Sequence, residues 1–226
     1  MLLIYLQFRE DYTIRLFKLN SINNNYMRYL KYTLIILAGI TMSCKDDKDD
    51  TPAPAASTTL TTNMVKNLPA NPEAGGTGHY TFFNLKNNAI VATSDSASLK
   101  WDIGFNSTTI ITNSGSSGMG SVGVQIYTGL FDNLTEAPEA GYIQDSPATH
   151  AIQTGSGNGW YNYNSTTHVI SSIPGRVIVV KTADNAYAKI EILSYYKDAP
   201  ASPTSDDISR YYTFRYAYQS DGTRKF

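Results

Sequence analysis

The stretch GRVIVVKTADNAYAKIEILSYY, residues 175–196, decides the fold class. Val177, Ile178, Val179 and Val180 form a run of β-branched residues. Ala183-Asp184-Asn185 follows as turn chemistry, and a second β-rich run begins at Tyr187. Two strand-forming runs around a short turn predict an antiparallel hairpin. In the second run Ala188, Ile190 and Ile192 alternate with Lys189 and Glu191, which predicts one buried face and one solvated face. RYYTFRYAYQ (210–219) alternates too: Tyr212, Phe214, Tyr216 and Tyr218 share one face, Thr213 and Arg215 the other. The three strands are expected to form an antiparallel meander, with a longer loop at 197–209.

Upstream, HYTFFN (79–84), AIVA (89–92), LKWDIGF (99–105), TTII (108–111) and VGVQIY (122–127) are further strand candidates. Turns rich in Gly, Ser and Asn separate them, such as NSGSSGMG (113–120) and TGSGNG (154–159). No sustained helical period follows residue 63. Many short strands with closely spaced turns mean an all-β single domain of antiparallel strands, a sandwich or open barrel, over residues 63–226.

The segment before the domain has a different chemistry. Arg28 and Lys31 precede the apolar run YTLIILAGI (32–40), then Thr41, Met42, Ser43 and Cys44. A basic start, a short apolar run and small residues ahead of a cleavage point make a secretory signal, and the run falls short of the ~20 residues that cross a bilayer. A cysteine at that junction resembles a bacterial lipoprotein box, so Cys44 is the expected lipidation site. Residues 27–43 are then the signal peptide. Met27 is the expected start, and residues 1–26 look like translated upstream sequence. After Cys44, KDDKDD and TPAPAASTT are too polar and too Pro-rich to fold alone, so 44–62 is the expected lipidated cysteine and tether. Lys45-Asp46-Asp47 also resembles the surface-export signal of lipoproteins in some anaerobic Gram-negative bacteria. The expected location is the outer membrane, lipid-anchored and facing outward.

Composition narrows the function. Residues 45–226 carry 13 Lys and Arg against 17 Asp and Glu, with no basic cluster and no zinc spacing, so no nucleic-acid partner is expected. Cys44 is the sole cysteine, so the core must hold without disulfides. No nucleophile elbow, zinc-protease motif or phosphate loop is present, and Asp102, Asp132, Glu136, Glu139, Asp145 and Asp184 are scattered; an enzyme is not expected. Asp102 lies in an apolar strand, where a carboxylate commonly bonds backbone amides at a strand end. The metal-ligating side chains are His79, His150 and His168, with Met64 and Met119 as soft donors. Each taken alone reads more readily as a solvent histidine or a loose methionine. Trp160, Tyr161 and Tyr163 lie near His150 and His168 in sequence, and read equally as ligand cleft or as sheet residues.

Several blocks then align in order. KWDIGFNSTTIITNSGSSGMGSVGV (100–124), GWYNYN (159–164), IPGRVIVVKTADNAYAKIEILSYYKDA (173–199) and YYTFRYAYQ (211–219) together resemble the HmuY family over roughly residues 79–226. The resemblance implies an all-β surface lipoprotein that binds haem in a hemophore-like manner and works with an outer-membrane TonB-dependent receptor. It implies two axial ligands to the iron, drawn from His150 and His168, with Met119 in reserve. His168 stands further toward the following strand than the family pattern places its ligand, and the segment carrying His150 is shorter. Trp160, Tyr161 and Tyr163 are the implied pocket residues, and Arg176 or Lys181 could face a propionate. The alternative is a non-catalytic surface module for another porphyrin, a glycan or a protein, using the same aromatic residues as a stacking platform.

Overall fold

The computed structural model describes residues 60–71 and 78–226, within the unit Pro54–Phe226. The expected signal peptide, the Cys44 lipidation site and nearly all of the expected tether lie outside the described residues. Eleven strands are formed among the described residues: β1 Thr61–Pro69, β2 Thr81–Asn84, β3 Ala89–Val91, β4 Ile103–Asn106, β5 Thr109–Thr112, β6 Gly123–Thr128, β7 Tyr161–Asn164, β8 Val169–Ser172, β9 Arg176–Lys181, β10 Tyr187–Tyr196 and β11 Ser209–Gln219.

The hairpin of 175–196 forms as β9 and β10. Its turn is fixed by Thr182, whose Oγ1 donates to Asp184 Oδ1 at 2.6 Å and accepts the Ala186 amide at 3.0 Å. Asn185 turns the chain with φ of 61°, a conformation asparagine tolerates better than most residues. β11 returns beside β10 with Ile190 opposite Tyr216, completing the meander. β1 and β6 add at the two flanks, giving the order β1-β11-β10-β9-β6. A second antiparallel sheet runs β3-β2-β4-β5, and β7 pairs with β8 as a separate hairpin. β1 begins at Thr61, two residues inside the stretch read from the sequence as tether.

The two larger sheets share one apolar core. Phe83 and Phe105 from the second sheet meet Phe214 at ring-centroid distances of 5.6 Å each. Ile103 and Ile110 face Ile178, Val180, Ile190 and Ile192 in the same cluster. The alternation of β11 places Tyr212, Phe214 and Tyr216 wholly inside, as their spacing predicts.

The other face of β10 departs from expectation. It is covered rather than solvated: Val177, Val179, Tyr187 and Ala217 pack there with Phe131, Leu134 and Ala137 from the segment after β6. Lys189 is therefore buried. Its Nζ donates to the carbonyls of Phe131 (2.8 Å) and Leu134 (2.9 Å) and lies 4.4 Å from the Phe131 ring centroid. Alternation alone cannot reveal this, because a lysine stem with a satisfied head packs like an apolar residue. Burial also pushes the Lys189 amine pKa down. Lys189→Met keeps the stem but removes the donor to the Leu134 carbonyl and leaves the Phe131 carbonyl with only the Leu134 amide, at 3.4 Å. The expected loss is about 1–3 kcal/mol, read as a lower urea midpoint with unchanged slope.

Asp102, just ahead of β4, is buried and accepts the Leu85 amide at 2.8 Å through Oδ2. The Leu85 carbonyl in turn accepts the Tyr216 hydroxyl at 2.8 Å. Burial raises the Asp102 carboxyl to about 6, the amide bond opposing it only in part. A carboxyl raised in the folded state binds its proton more tightly there than in the unfolded chain. Its contribution to stability is thus full below the unfolded value, near 4, and is lost as pH rises through about 6. Unfolding free energy is expected to fall by up to about 3 kcal/mol between pH of about 4 and about 7 on this account. Asp102→Asn should flatten that slope in denaturant titrations across the interval; an unchanged slope would remove Asp102 as its source.

Candidate functional site

The block around Asn113 is a built loop. Asn113 Nδ2 donates to the carbonyls of Ser98 (2.9 Å) and Trp101 (2.8 Å), and its Oδ1 accepts the Gly120 amide at 3.0 Å. A Cβ on Gly118 would overlap Asn113 Oδ1 and sit 2.9 Å from the Trp101 ring, so only glycine fits there without displacement. Met119 projects from this fixed loop and is 72% exposed.

A second loop lies against the first and carries Asp145 and His150. The Ser116 amide donates to the Asp145 carbonyl at 3.1 Å, and the Asp145 amide meets Ser114 Oγ at 3.4 Å. Gly115 has φ of +53°, and its Cα hydrogens face the Asp145 carbonyl closely enough that any Cβ would overlap it. The structure thus brings the loop of Met119 alongside the loop of His150.

The Asp145 side chain is buried at the centre of the second loop. Oδ1 accepts the Ala151 amide at 2.7 Å and Oδ2 the Thr112 amide at 3.0 Å. The same Oδ2 stands 3.6 Å from His150 Nδ1. That nitrogen is buried and has no hydrogen-bond partner, while about a third of the His150 side chain is exposed. Nδ1 therefore points inward and Nε2 is the outward nitrogen.

His168 closes the β7–β8 hairpin with φ of +57° and is exposed. Its Nδ1 lies 2.7 Å from the hydroxyl of Tyr163, itself 44% exposed. Unlike the Nδ1 of His150, this Nδ1 is hydrogen-bonded within the chain, and Nε2 is left for other partners. Each histidine immediately precedes a core residue, Ala151 and Val169, and both belong to the cluster that holds Trp160 and Tyr161.

Trp160 and Tyr161 are buried, at 2% and 8% exposure. Trp160 donates Nε1–H to the Thr108 carbonyl at 2.9 Å and packs against Tyr161, Tyr195 and Tyr212. Both belong to the core cluster that also holds Ala151 and Ile152, and Trp160 presents no open face on which a sugar could stack. Beside the His150 loop, a cleft of about 300 Å³ is lined by Val124, Ile126, Ile143, Ala151 and Arg176, among others. Arg176 reaches across it to donate Nη1 to the Asn158 carbonyl at 3.1 Å. Its volume is at the small end of ligand pockets, about 300–1,000 Å³.

Sequence reasoning named both histidines but passed over Asp145 as one scattered acid among several. A buried carboxylate cannot be told from an exposed one by composition; only its two backbone donors, 33 and 6 residues away in the chain, identify it. Tyr163, a pocket candidate by sequence, is paired with His168 in the structure. His79 lies exposed ahead of β2. Among the described residues no helix is long and apolar enough to cross a membrane.

None of the curated proteins compared matches the sequence. Among solved structures, the chain is similar to a Bacteroides vulgatus protein named as HmuY-like and haem-binding, at 18% identity over 73% of this chain and 94% of that one, with a TM-score of 0.45. It is similar to the apo HmuY analogue of Tannerella forsythia (14% identity, 72% and 97% covered, TM-score 0.41) and to apo PinO of Porphyromonas gingivitis (15%, 73% and 99%, TM-score 0.47). The model of the HmuY protein family matches residues 77–216, which take in both loops, the hairpin and most of the two sheets. The chain belongs to the HmuY family.

Proposed function

We propose that this protein is a cell-surface haem-binding lipoprotein, without catalysis, in which His150 and His168 are the axial ligands. The observation that carries the reading is the matched arrangement of the two histidines within a HmuY-family chain. Each has Nδ1 beside an oxygen, Asp145 Oδ2 at 3.6 Å without a hydrogen bond in His150 and the Tyr163 hydroxyl at 2.7 Å in His168, and keeps Nε2 for a ligand. Metal-binding histidines commonly have this second partner, which fixes ring orientation. The donor set therefore fits haem. Haem, when bound, would supply an iron that takes nitrogen or sulfur donors from the chain and whose redox state those donors would tune.

The chain's own residues do the rest. Asp145 and Tyr163 orient the imidazoles, Trp160 and Tyr161 pack in the core that follows the His150 loop, and the glycines of 115–120 hold Met119 beside that loop. Met119 is the reserve sulfur donor, supported by its exposure on a loop hydrogen-bonded to that of Asp145. Arg176, which lines the cleft, is the cation proposed to meet a propionate, with Lys181 as the alternative. Lipid on Cys44 would tether the domain to the outer membrane, and a TonB-dependent receptor would take the haem onward.

The experiment is a haem titration of the purified protein followed by absorption spectroscopy. Saturation at one haem per chain with a sharp low-spin spectrum is expected. A non-saturating titration that a denatured control reproduces would reject haem and favour another porphyrin, a glycan or a protein as the ligand.

A further inference from the structure

Asp145 combines features that a loop residue needs for no structural purpose alone. Two backbone amides, Thr112 and Ala151, already satisfy its role in joining the loops. Yet its Oδ2 also faces the one described buried side-chain polar atom that lacks a hydrogen bond, His150 Nδ1, at 3.6 Å. A bare nitrogen lone pair turned toward a carboxylate oxygen would be repelled. A proton on Nδ1 converts the contact into attraction, and a small rotation of the ring brings it within hydrogen-bond range. A buried polar atom left unsatisfied costs about 1–3 kcal/mol, which supplies the drive to close that gap.

We propose that Asp145 is the positioning residue of His150. Its carboxylate takes the Nδ1 proton as acceptor, holds the neutral imidazole in the Nδ1–H tautomer, and keeps Nε2 outward as a lone-pair donor. It also lends the ring negative charge, so that whatever Nε2 coordinates is favoured in its more oxidised form. The identity of that ligand as haem iron rests on the proposed function above; the tautomer does not. His150 differs in this from His168, whose Nδ1 meets a neutral phenol. The two imidazoles would therefore be unequal donors, with the Asp145-backed His150 the stronger.

Long-range proton–nitrogen NMR of the full chain without haem, in buffer where the imidazole is neutral, reads the tautomer and needs no variant. Nδ1–H at His150 is expected; Nε2–H, the usual form in water, would overturn the proposal. Asp145→Asn offers one acceptor oxygen that the buried amides compete for, and an Nε2–H tautomer is expected to appear there. Retention of Nδ1–H in that variant, with its thermal transition intact, would also overturn it. In the haem complex, Asp145→Asn should weaken the ferric form about tenfold more than the ferrous form, equivalent to a rise of about 59 mV in midpoint potential. Equal weakening of both forms, with no change in potential, would make Asp145 a loop fastener only. If the wild-type chain binds no haem, the haem reading fails while the tautomer still decides the role of Asp145.

Discussion

The double variant His150→Ala/His168→Ala is expected to lose haem affinity by more than about hundredfold while keeping its fold. Outer-shell partners of a metal ligand alone cost about 10–100-fold when removed, and here both donors to the iron would go. Stability should change little, because neither imidazole is part of the apolar core: His168 is exposed and His150 is a third exposed with its inner nitrogen unbonded. Titration by absorbance gives the affinity, and thermal melting by circular dichroism gives the control. The single variants should separate the two positions. His150→Ala leaves Met119 on the adjoining loop as a substitute donor, so a shift toward a histidine–sulfur spectrum is expected there and not in His168→Ala. Undiminished binding in the double variant would transfer the ligand role to other side chains.

Trp160→Ala is expected to destabilise the domain by about 3–5 kcal/mol, the range for removing a fully buried large aromatic side chain. Domains of this size are stable by only about 5–15 kcal/mol in all, so the variant should be near its unfolding threshold at ambient temperature. Trp160 has ring neighbours in Tyr161 at 5.0 Å, Tyr212 at 5.1 Å and Tyr195 at 5.8 Å, and its loss also strips the Thr108 carbonyl of its donor. Trp160 sits between the His150 loop and β7, so haem affinity should fall with stability. Trp160→Phe, which keeps a ring, should recover most of both. Urea unfolding followed by tyrosine fluorescence measures the first effect. A loss below about 1 kcal/mol would mean that Trp160 is not part of a packed core.

The central fold was legible because β9, β10 and β11 obey simple alternation with one clear turn. Tyr212, Phe214, Tyr216, Ile190 and Ile192 are inside as their period demands. Asp102 was legible for the same reason: an acid in an apolar strand must find donors, and it found the Leu85 amide. β1 was not legible, since TTNMVKNLP mixes Asn, Lys and Met, and its register shifts between Val65 and Leu68. The β7–β8 hairpin was hidden by its asparagines, YNYN being as apt for a turn as for a strand. Lys189 misled because the cover over it comes from residues 131–137, more than 50 positions away. In the site, the donor histidines are visible as residue types. Their partners are not, because Asp145 acquires its meaning from burial and Tyr163 from a hairpin the pattern conceals.

Magnetic circular dichroism of the ferric complex in the near infrared tests the central claim most directly, since its charge-transfer band depends on which two atoms bind the iron. A band of the bis-imidazole type, displaced in His150→Ala and in His168→Ala, is the predicted result. A histidine–methionine or high-spin spectrum in the wild-type protein would contradict the assignment of His150 and His168 as the axial pair.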